Sequence, residues 1–260
     1  MPALCTQTYI PVRAEATDRS EMVSQLLFGE TCQITREEGK WVRVRCDFDE
    51  YEGWVYRPSL YVLTDQQYEY LMHLPRSVVN VPILPVRDDK DQQIRYLTVG
   101  STIYNLDTAT GKFSLLDRNY ICAGNVPVLS SLSVEERIIG MAKQLVNVPY
   151  LWGGRSTFGI DCSGLIQTCF KVGGIALPRD ASQQAQKGIT VDSFADIRPA
   201  DLAFFQNAEG RIVHVGLLIS PSLIIHASNF VQISTFDEYG ILHADRQTYT
   251  HHLAFIKRLI

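Results

Sequence analysis

The stretch PYLWGGRSTFGIDCSGLIQTCF, residues 149–170, indicates how the C-terminal half of the chain folds. Glycines interrupt its first part, and the apolar residues that follow Asp161 have the spacing of one helix face. Aspartate is a favourable N-cap residue, so Cys162 is predicted to lie in the first turn of a helix that ends at Gly173 and Gly174. The helix dipole would lower the pKa of a thiol in that position and favour the nucleophilic thiolate. Helix position alone leaves open the alternative of a small buried cysteine.

The composition is that of a globular protein with ordinary cores. The chain has 260 residues, of which 46% are hydrophobic and 20% charged, with a formal net charge of -4 at pH 7. This balance excludes a basic footprint for nucleic acid, and no apolar run is long enough for a membrane span. No signal peptide is visible at the N-terminus, which predicts a cytoplasmic protein, or a periplasmic or secreted one if a leader has been removed.

The six cysteines show neither a CxxC pair nor the spacing of metal ligands. We therefore expect reduced thiols, no metal and no cofactor. Cys5 lies near a terminus and is predicted to have no specific role. The cysteines other than Cys5 and Cys162 have apolar neighbours and are predicted to fill the core: Cys32, Cys46, Cys122 and Cys169.

The N-terminal half reads as short strands separated by turns. Apolar and polar residues alternate in WVRVRC, residues 41–46, and turn residues such as EGK at 38–40 recur every eight to twelve positions. The pattern predicts a small barrel or sandwich. In its order of motifs, including LFGE at 27–30 and GWV at 53–55, it resembles bacterial SH3-like domains. Residues 80–127 are interpreted as a second, degenerate SH3-like domain, and residues 64–79 as a connector that includes a short helix.

From residue 130 the hydrophobic period changes from strand to helix. Ser133 and Glu136 have the spacing of a capping box, and a helical apolar stripe follows them. Strand-like segments such as HVGLLIS, 214–220, and LIIHAS, 223–228, come after the Cys162 helix. Helices followed by antiparallel strands predict an α+β domain.

Two histidines are candidate partners for the cysteine. His214 and His226 lie twelve residues apart around Ser220 and Pro221, so a hairpin centred there would make them direct cross-strand neighbours. A thiol nucleophile needs a base that also protonates the leaving amine, and the base needs an orienting partner. His251 and His252 lie in a polar segment and are expected to be solvated.

The ordered motifs of the C-terminal half resemble the NlpC-type papain-like cysteine peptidases. These motifs are PYLWGG at 149–154, DCSG at 161–164, LPRD at 177–180, RPADL at 198–202, HVG at 214–216 and HA at 226–227. The resemblance implies that Cys162 is the nucleophile, His214 the general base and acid, and His226 the third polar residue, with Tyr150 beside the oxyanion. The predicted fold class is an α+β papain-like peptidase domain, residues 128–260, preceded by two small all-β SH3-like barrels, the first at residues 1–63.

The order of domains is similar to that of the γ-D-glutamyl-L-diamino-acid endopeptidases of murein-peptide recycling. This implies a murein tripeptide or tetrapeptide substrate with a free N-terminal L-Ala. From the composition we expect no nucleic-acid or membrane partner, and the sequence leaves the oligomeric state open, with a monomer favoured. The substrate-binding residues implied are Asp161, Ser163, Glu15, Tyr51, Arg179 and Asp180. The alternatives are a secreted lytic endopeptidase on intact peptidoglycan, a non-catalytic wall-binding protein, and an acyl- or amidotransferase.

Overall fold

The computed structural model describes residues 1–124, 131–243 and 248–260, and the chain falls into two compact units. Unit 1 contains residues 1–124 together with Trp152–Phe158, and unit 2 contains the described residues of 131–151 and 159–260. The predicted boundary between residues 127 and 128 lies outside the described residues, and the predicted domain ranges stay predictions. Within the described residues, no helix is both long and apolar enough to cross a membrane.

The first part of unit 1 consists of short antiparallel strands. They are β1 (Pro2–Leu4), β2 (Tyr9–Arg13), β3 (Met22–Leu27), β4 (Thr31–Glu38), β5 (Trp41–Cys46), β6 (Glu52–Tyr56) and β7 (Tyr61–Val62), with a 3-10 turn at Arg57–Ser59. Their order in the sheet is β3-β2-β6-β5-β4-β1-β7. Burial alternates along β5, which confirms the predicted half-buried strand. The side chain of Cys5 is buried in this core, so the prediction that it has no specific role is wrong.

The rest of unit 1 contains a helix and a second small group of strands. They are α1 (Asp65–His73), β8 (Arg76–Val78), β9 (Ile83–Asp88), β10 (Ile94–Thr98), β11 (Thr102–Tyr104), β12 (Lys112–Leu115), β13 (Arg118–Cys122) and β14 (Arg155–Ser156). Thr64 and Gln67 form a capping box that starts α1. Phe28 packs edge-on against Phe113 and Tyr120, with ring centroids 6.3 and 5.8 Å away, and joins this second core to β3.

Unit 2 has the predicted α+β character. Its elements are α2 (Val134–Gln144), β15 (Gly159–Ile160), α3 (Cys162–Gly173), α4 (Ala181–Gln184), β16 (Ile189–Thr190), β17 (Leu202–Gln206), β18 (Ile212–Ser220), β19 (Leu223–Ala227), β20 (Val231–Asp237), β21 (Gly240–His243) and β22 (Thr248–Arg258), with a 3-10 turn at Phe194–Asp196. The sheet order is β16-β22-β17-β18-β19-β20-β21. Because β21 also pairs with β22, strands β17 to β22 close into a six-stranded barrel.

Helix α3 carries the predicted nucleophile and is buried along its whole length. Ser133 and Glu136 form the predicted capping box of α2, and α3 packs against α2, β18 and β19. The sequence indicated one apolar face, whereas every residue of α3 is buried. Its polar residues find partners, as when the side-chain amide of Gln167 donates to the carbonyl of Leu177 at 3.0 Å. Gly174, with φ of 89°, ends the helix in the left-handed conformation that favours glycine.

Candidate active site

Cys162 is the first residue of α3, as predicted, and its side chain is buried. Asp161 caps the helix by accepting the backbone N–H of Gly164 at 2.7 Å. Burial, followed by the neighbouring Asp161 carboxylate, raises the pKa of the Cys162 thiol to about 12. The backbone N–H groups of Val215 and Ser163 oppose this rise without cancelling it. The expected lowering of the pKa is therefore wrong for the free protein, because desolvation outweighs the helix start.

His214 on β18 and His226 on β19 lie on one face of a hairpin, as predicted, but in a different register. Leu217 pairs with Ile225, and the strand is irregular between Leu218 and Ser220. Extended along the ladder, this register places Gly216 opposite His226, and His214 becomes its diagonal neighbour. The predicted direct pairing is wrong because the tight turn follows Ser220 and a bulge precedes it in β18.

The two imidazoles are joined by a hydrogen bond. His214 Nε2 lies 3.0 Å from His226 Nδ1, and His226 Nε2 lies 3.0 Å from the hydroxyl of Ser234 on β20. If Ser234 accepts the proton on His226 Nε2, then His226 Nδ1 accepts the proton on His214 Nε2. This tautomer leaves the lone pair of His214 Nδ1 for the thiol proton. Ser234 was not identified from the sequence, since a serine in an exposed alternation carries no signal.

Burial keeps both imidazoles uncharged. It lowers the pKa of His214 well below its usual value, with the nearby His251 and His226 as further causes. Burial and His251 lower the pKa of His226 to about 3. The free site therefore holds a neutral Cys162 thiol and a neutral His214 imidazole, and the proton moves only when attack on a substrate begins.

His251 on β22 belongs to the same cluster, contrary to the expectation that it is solvated. Its ring stacks on that of His214 with 4.1 Å between centroids and a tilt of 26°, while His252 is exposed. Successive side chains of a strand face opposite sides, so one of two adjacent histidines could have been assigned to the barrel interior. Among the described residues, His214, His226 and His251 form the one group of three or more potential metal ligands whose ligand atoms lie within 4.8 Å of one another.

Three predicted substrate-binding residues meet in a buried polar cluster. The Arg179 guanidinium donates to both oxygens of Asp161, at 2.6 Å from Nη2 and 3.1 Å from Nη1, and Nη1 also donates to the Ser163 hydroxyl at 2.8 Å. The bidentate pair fixes the carboxylate that caps α3, which in turn positions Cys162. Asp180 is half-buried and directly precedes α4.

Tyr150 lies beside the nucleophile in unit 2. Its backbone N–H donates to the carbonyl of Asn229 at 3.0 Å, and its pKa is raised first by burial and then by Cys162 and Asp161. A protonated phenol in that place is able to donate to a developing oxyanion. Glu15 and Tyr51 lie in unit 1, where Glu15 is exposed and Tyr51 half-buried. Their assignment to substrate binding stays a prediction.

Comparison with known proteins shows the family of this chain. The profile of the NlpC/P60 family matches residues 147–249, and that of the bacterial dipeptidyl-peptidase SH3 domain matches residues 12–60. A gamma-D-glutamyl-L-lysine dipeptidyl-peptidase from Bacillus subtilis is 31% identical over 218 residues, which cover 78% of this chain and 71% of that protein. The chain belongs to the NlpC/P60 family.

Two further NlpC/P60 comparisons cover most or all of this chain. Dipeptidyl-peptidase 6 from Lysinibacillus sphaericus is 28% identical over 249 residues, covering 86% of this chain and 88% of that protein. The crystal structure of an NlpC/P60 family protein from Bacillus cereus matches with a TM-score of 0.82 and 19% identity, covering 100% of this chain and 99% of that chain. The predicted fold class is thereby confirmed, and the protein is an NlpC/P60 peptidase, a hydrolase.

Proposed function

We propose that this peptidase hydrolyses the γ-D-glutamyl–diamino-acid bond of short murein peptides that carry a free N-terminal L-Ala, in the cytoplasmic recycling of cell-wall fragments. The observation that carries the proposal is the chain of hydrogen bonds from Ser234 through His226 to His214. His214 directly precedes Val215, whose backbone N–H bonds the sulfur of the buried Cys162. The name of the Bacillus subtilis relative, a gamma-D-glutamyl-L-lysine dipeptidyl-peptidase, supports this bond as the target.

In the first half of the reaction, the Cys162 sulfur attacks the γ-carbonyl carbon of D-Glu. The thiol proton passes to His214 Nδ1, and the oxyanion is stabilised by the Tyr150 hydroxyl and the backbone N–H of Cys162. His226 accepts the Nε2–H of His214 throughout, which keeps the imidazole oriented. The imidazolium then protonates the amine of the diamino acid, which leaves as the C–N bond breaks.

In the second half, water hydrolyses the thioester. His214 Nδ1 takes a proton from the water as its oxygen attacks the acyl carbon. Collapse of the tetrahedral intermediate breaks the C–S bond, and the proton returns to the Cys162 sulfur. The product is the dipeptide L-Ala-γ-D-Glu, and the enzyme regains its neutral thiol and imidazole.

The free amine of L-Ala requires polar or anionic partners, because an unpaired ammonium is costly to bury. The family resemblance assigns this role to Asp161, Glu15 and Tyr51, with Ser163, Arg179 and Asp180 in the pocket wall. The charge of Asp161 is already matched by Arg179 at 2.6 Å. Asp161 therefore serves the ammonium as a hydrogen-bond acceptor more than as a free negative charge.

The nucleophile is tested by hydrolysis of L-Ala-γ-D-Glu-diaminopimelate, with the products identified by mass. We expect Cys162→Ala to release no dipeptide, because no other group can form the thioester. Cys122→Ala removes a half-buried thiol from unit 1 and is expected to retain wild-type activity. Equal activity of Cys162→Ala and the wild type would refute the proposed nucleophile.

The free-amine requirement is tested by acetylating the N-terminal alanine of the same peptide. We expect cleavage to be abolished, since the acetyl group removes the ammonium and adds bulk. Unchanged turnover would contradict a subsite for a free amine and would favour a lytic enzyme, for which release of soluble fragments from intact sacculi is the matching assay. Binding to sacculi without any cleavage would favour the wall-binding alternative, and an amide product in the presence of added amines would favour a transferase.

A further inference from the structure

His251 places a third imidazole against His214 and His226, and peptide hydrolysis does not require this third ring. The ring centroid of His251 lies 4.1 Å from that of His214 and 5.6 Å from that of His226. One ring nitrogen from each histidine lies within 4.8 Å of the other two. A general base needs one orienting partner, and His226 already fills that role.

The Ser234 and Thr250 hydroxyls each lie at one nitrogen of a histidine ring, where they determine which nitrogen of that ring carries the proton. His226 Nε2 lies 3.0 Å from the Ser234 hydroxyl, and His251 Nδ1 lies 2.9 Å from the Thr250 hydroxyl. With a proton on the nitrogen that faces each hydroxyl, His226 Nδ1 and His251 Nε2 carry lone pairs, and a metal would replace the His214 Nε2–H as the partner of His226 Nδ1. Metal-ligating histidines have this arrangement, in which the second ring nitrogen donates to an oxygen and thereby fixes the tautomer.

We propose that His214, His226 and His251 form an inhibitory binding site for Zn²⁺. Three imidazoles suit a borderline cation such as zinc, which takes three protein ligands and keeps a fourth position for water. Tetrahedral zinc with Zn–N bonds of about 2.0–2.1 Å places its ligand nitrogens about 3.4 Å apart. The His214–His226 separation of 3.0 Å opens slightly, and the half-buried His251 ring turns out of its stack to point a nitrogen inward.

A cavity within unit 2 borders the cluster at His226. A cavity of about 470 Å³ is lined by His226 and by both hydroxyl residues, Ser234 and Thr250. Its other polar lining residues are uncharged amides and hydroxyls, which do not compete with the imidazoles for zinc.

Binding at this site would stop hydrolysis through the tautomer of His214. Zinc takes the lone pair of Nε2, and the proton that Nε2 carried moves to Nδ1, so the ring stays neutral overall. His214 Nδ1 then bears a hydrogen and is unable to accept the thiol proton of Cys162. Removal of the metal by a chelator restores the original tautomer, so the inhibition is reversible.

The site is tested by metal binding rather than by activity. Co²⁺ is titrated into the Cys162→Ala protein, and visible ligand-field absorption reports a tetrahedral site without any contribution from the Cys162 sulfur. Zn²⁺ is then added to displace the Co²⁺. We expect a one-to-one complex that His251→Ala weakens by about 100-fold or more, since it loses a direct ligand, and that Thr250→Val weakens by about 10-fold.

The matched control is His252→Ala, because His252 follows His251 in the chain and its side chain is exposed. We expect this variant to bind Co²⁺ like the parent protein. Equal weakening by His252→Ala and His251→Ala, or no loss in His251→Ala, would overturn the site. So would the absence of tetrahedral absorption in the Cys162→Ala protein. These outcomes do not depend on whether the proposed murein peptide is the substrate.

Discussion

Cys162 and His214 are both buried, and burial opposes a charge on each of them. The pKa of Cys162 is raised to about 12, while that of His214 is lowered well below its usual value. The sequence correctly predicted that Cys162 lies at a helix start, because an N-cap aspartate and an apolar period are local signals. It could not predict the charge state, since burial of the thiol depends on the packing of α3 against β18 and β19, which are distant along the chain.

The uncharged states of the Cys162 thiol and the His214 imidazole lead to a prediction of how alkylation of Cys162 depends on pH. Below a pKa of about 12 the thiolate fraction grows with pH, so the rate of reaction with iodoacetamide should rise by about tenfold per pH unit between pH 6 and 10. The alkylation is carried out in the presence of a chelator, and the modified residue is identified by mass spectrometry. The Cys162→Ala protein gives the background rate from the other cysteines. A flat rate between pH 5 and 8 would instead show a preformed thiolate–imidazolium pair.

At the scale of elements, the β18–β19 hairpin determines how His214 and His226, the proposed catalytic histidines, meet. The alternation of side chains along the two strands predicted that His214 and His226 lie on one face of the hairpin, and the structure agrees. The register differed because turn length and a bulge between Leu218 and Ser220 are not encoded in the alternation. Gly216 occupies the position opposite His226, where a Cβ atom would lie 3.1 Å from His226 Cβ and 2.5 Å from Ile224 Cδ1.

Gly216→Ala is therefore expected to displace the His226 ring and to lower kcat by about 10- to 100-fold with little change in KM, since small misplacements of catalytic groups are costly. Steady-state kinetics on the tripeptide measures both constants. Gly140→Ala is the control, because a Cβ atom at that position of α2 meets nothing within 4 Å. A kcat of Gly216→Ala equal to that of the control would contradict the steric role of Gly216.

At the scale of the whole molecule, the chain returns to unit 1 between Tyr150 and Cys162. Trp152–Phe158 packs there, and the Arg155 guanidinium forms a buried ion pair with Glu30, at 3.0 Å between Nη2 and Oε1. Arg155 also bonds Gln25 through its backbone N–H and Nη1, each at 2.8 Å. This pairing could not be predicted from the sequence, because the partners are more than 120 positions apart and an isolated arginine is usually exposed.

Glu30→Gln should destabilise unit 1 by about 3–5 kcal/mol, because it leaves a buried guanidinium without its counter-charge. All three tryptophans, Trp41, Trp54 and Trp152, lie in unit 1, so tryptophan fluorescence during urea unfolding reports on this unit. The control Glu38→Gln breaks the surface pair with Arg36 and should cost at most about 1 kcal/mol. Equal losses in the two variants would show that the buried pair contributes no more than a surface pair.

The placement of Trp152–Phe158 also limits how this protein can be recombined. A gene fragment that starts after residue 130 encodes Cys162 and both catalytic histidines, yet it separates Arg155 from Glu30 and Gln25. Fusing such a fragment to another protein would thus expose residues 152–158, because Glu30 and Gln25 are absent from the fragment. Evolutionary shuffling of this protein is expected to move residues 1–260 as one cassette, or to replace residues 152–158 at the same time.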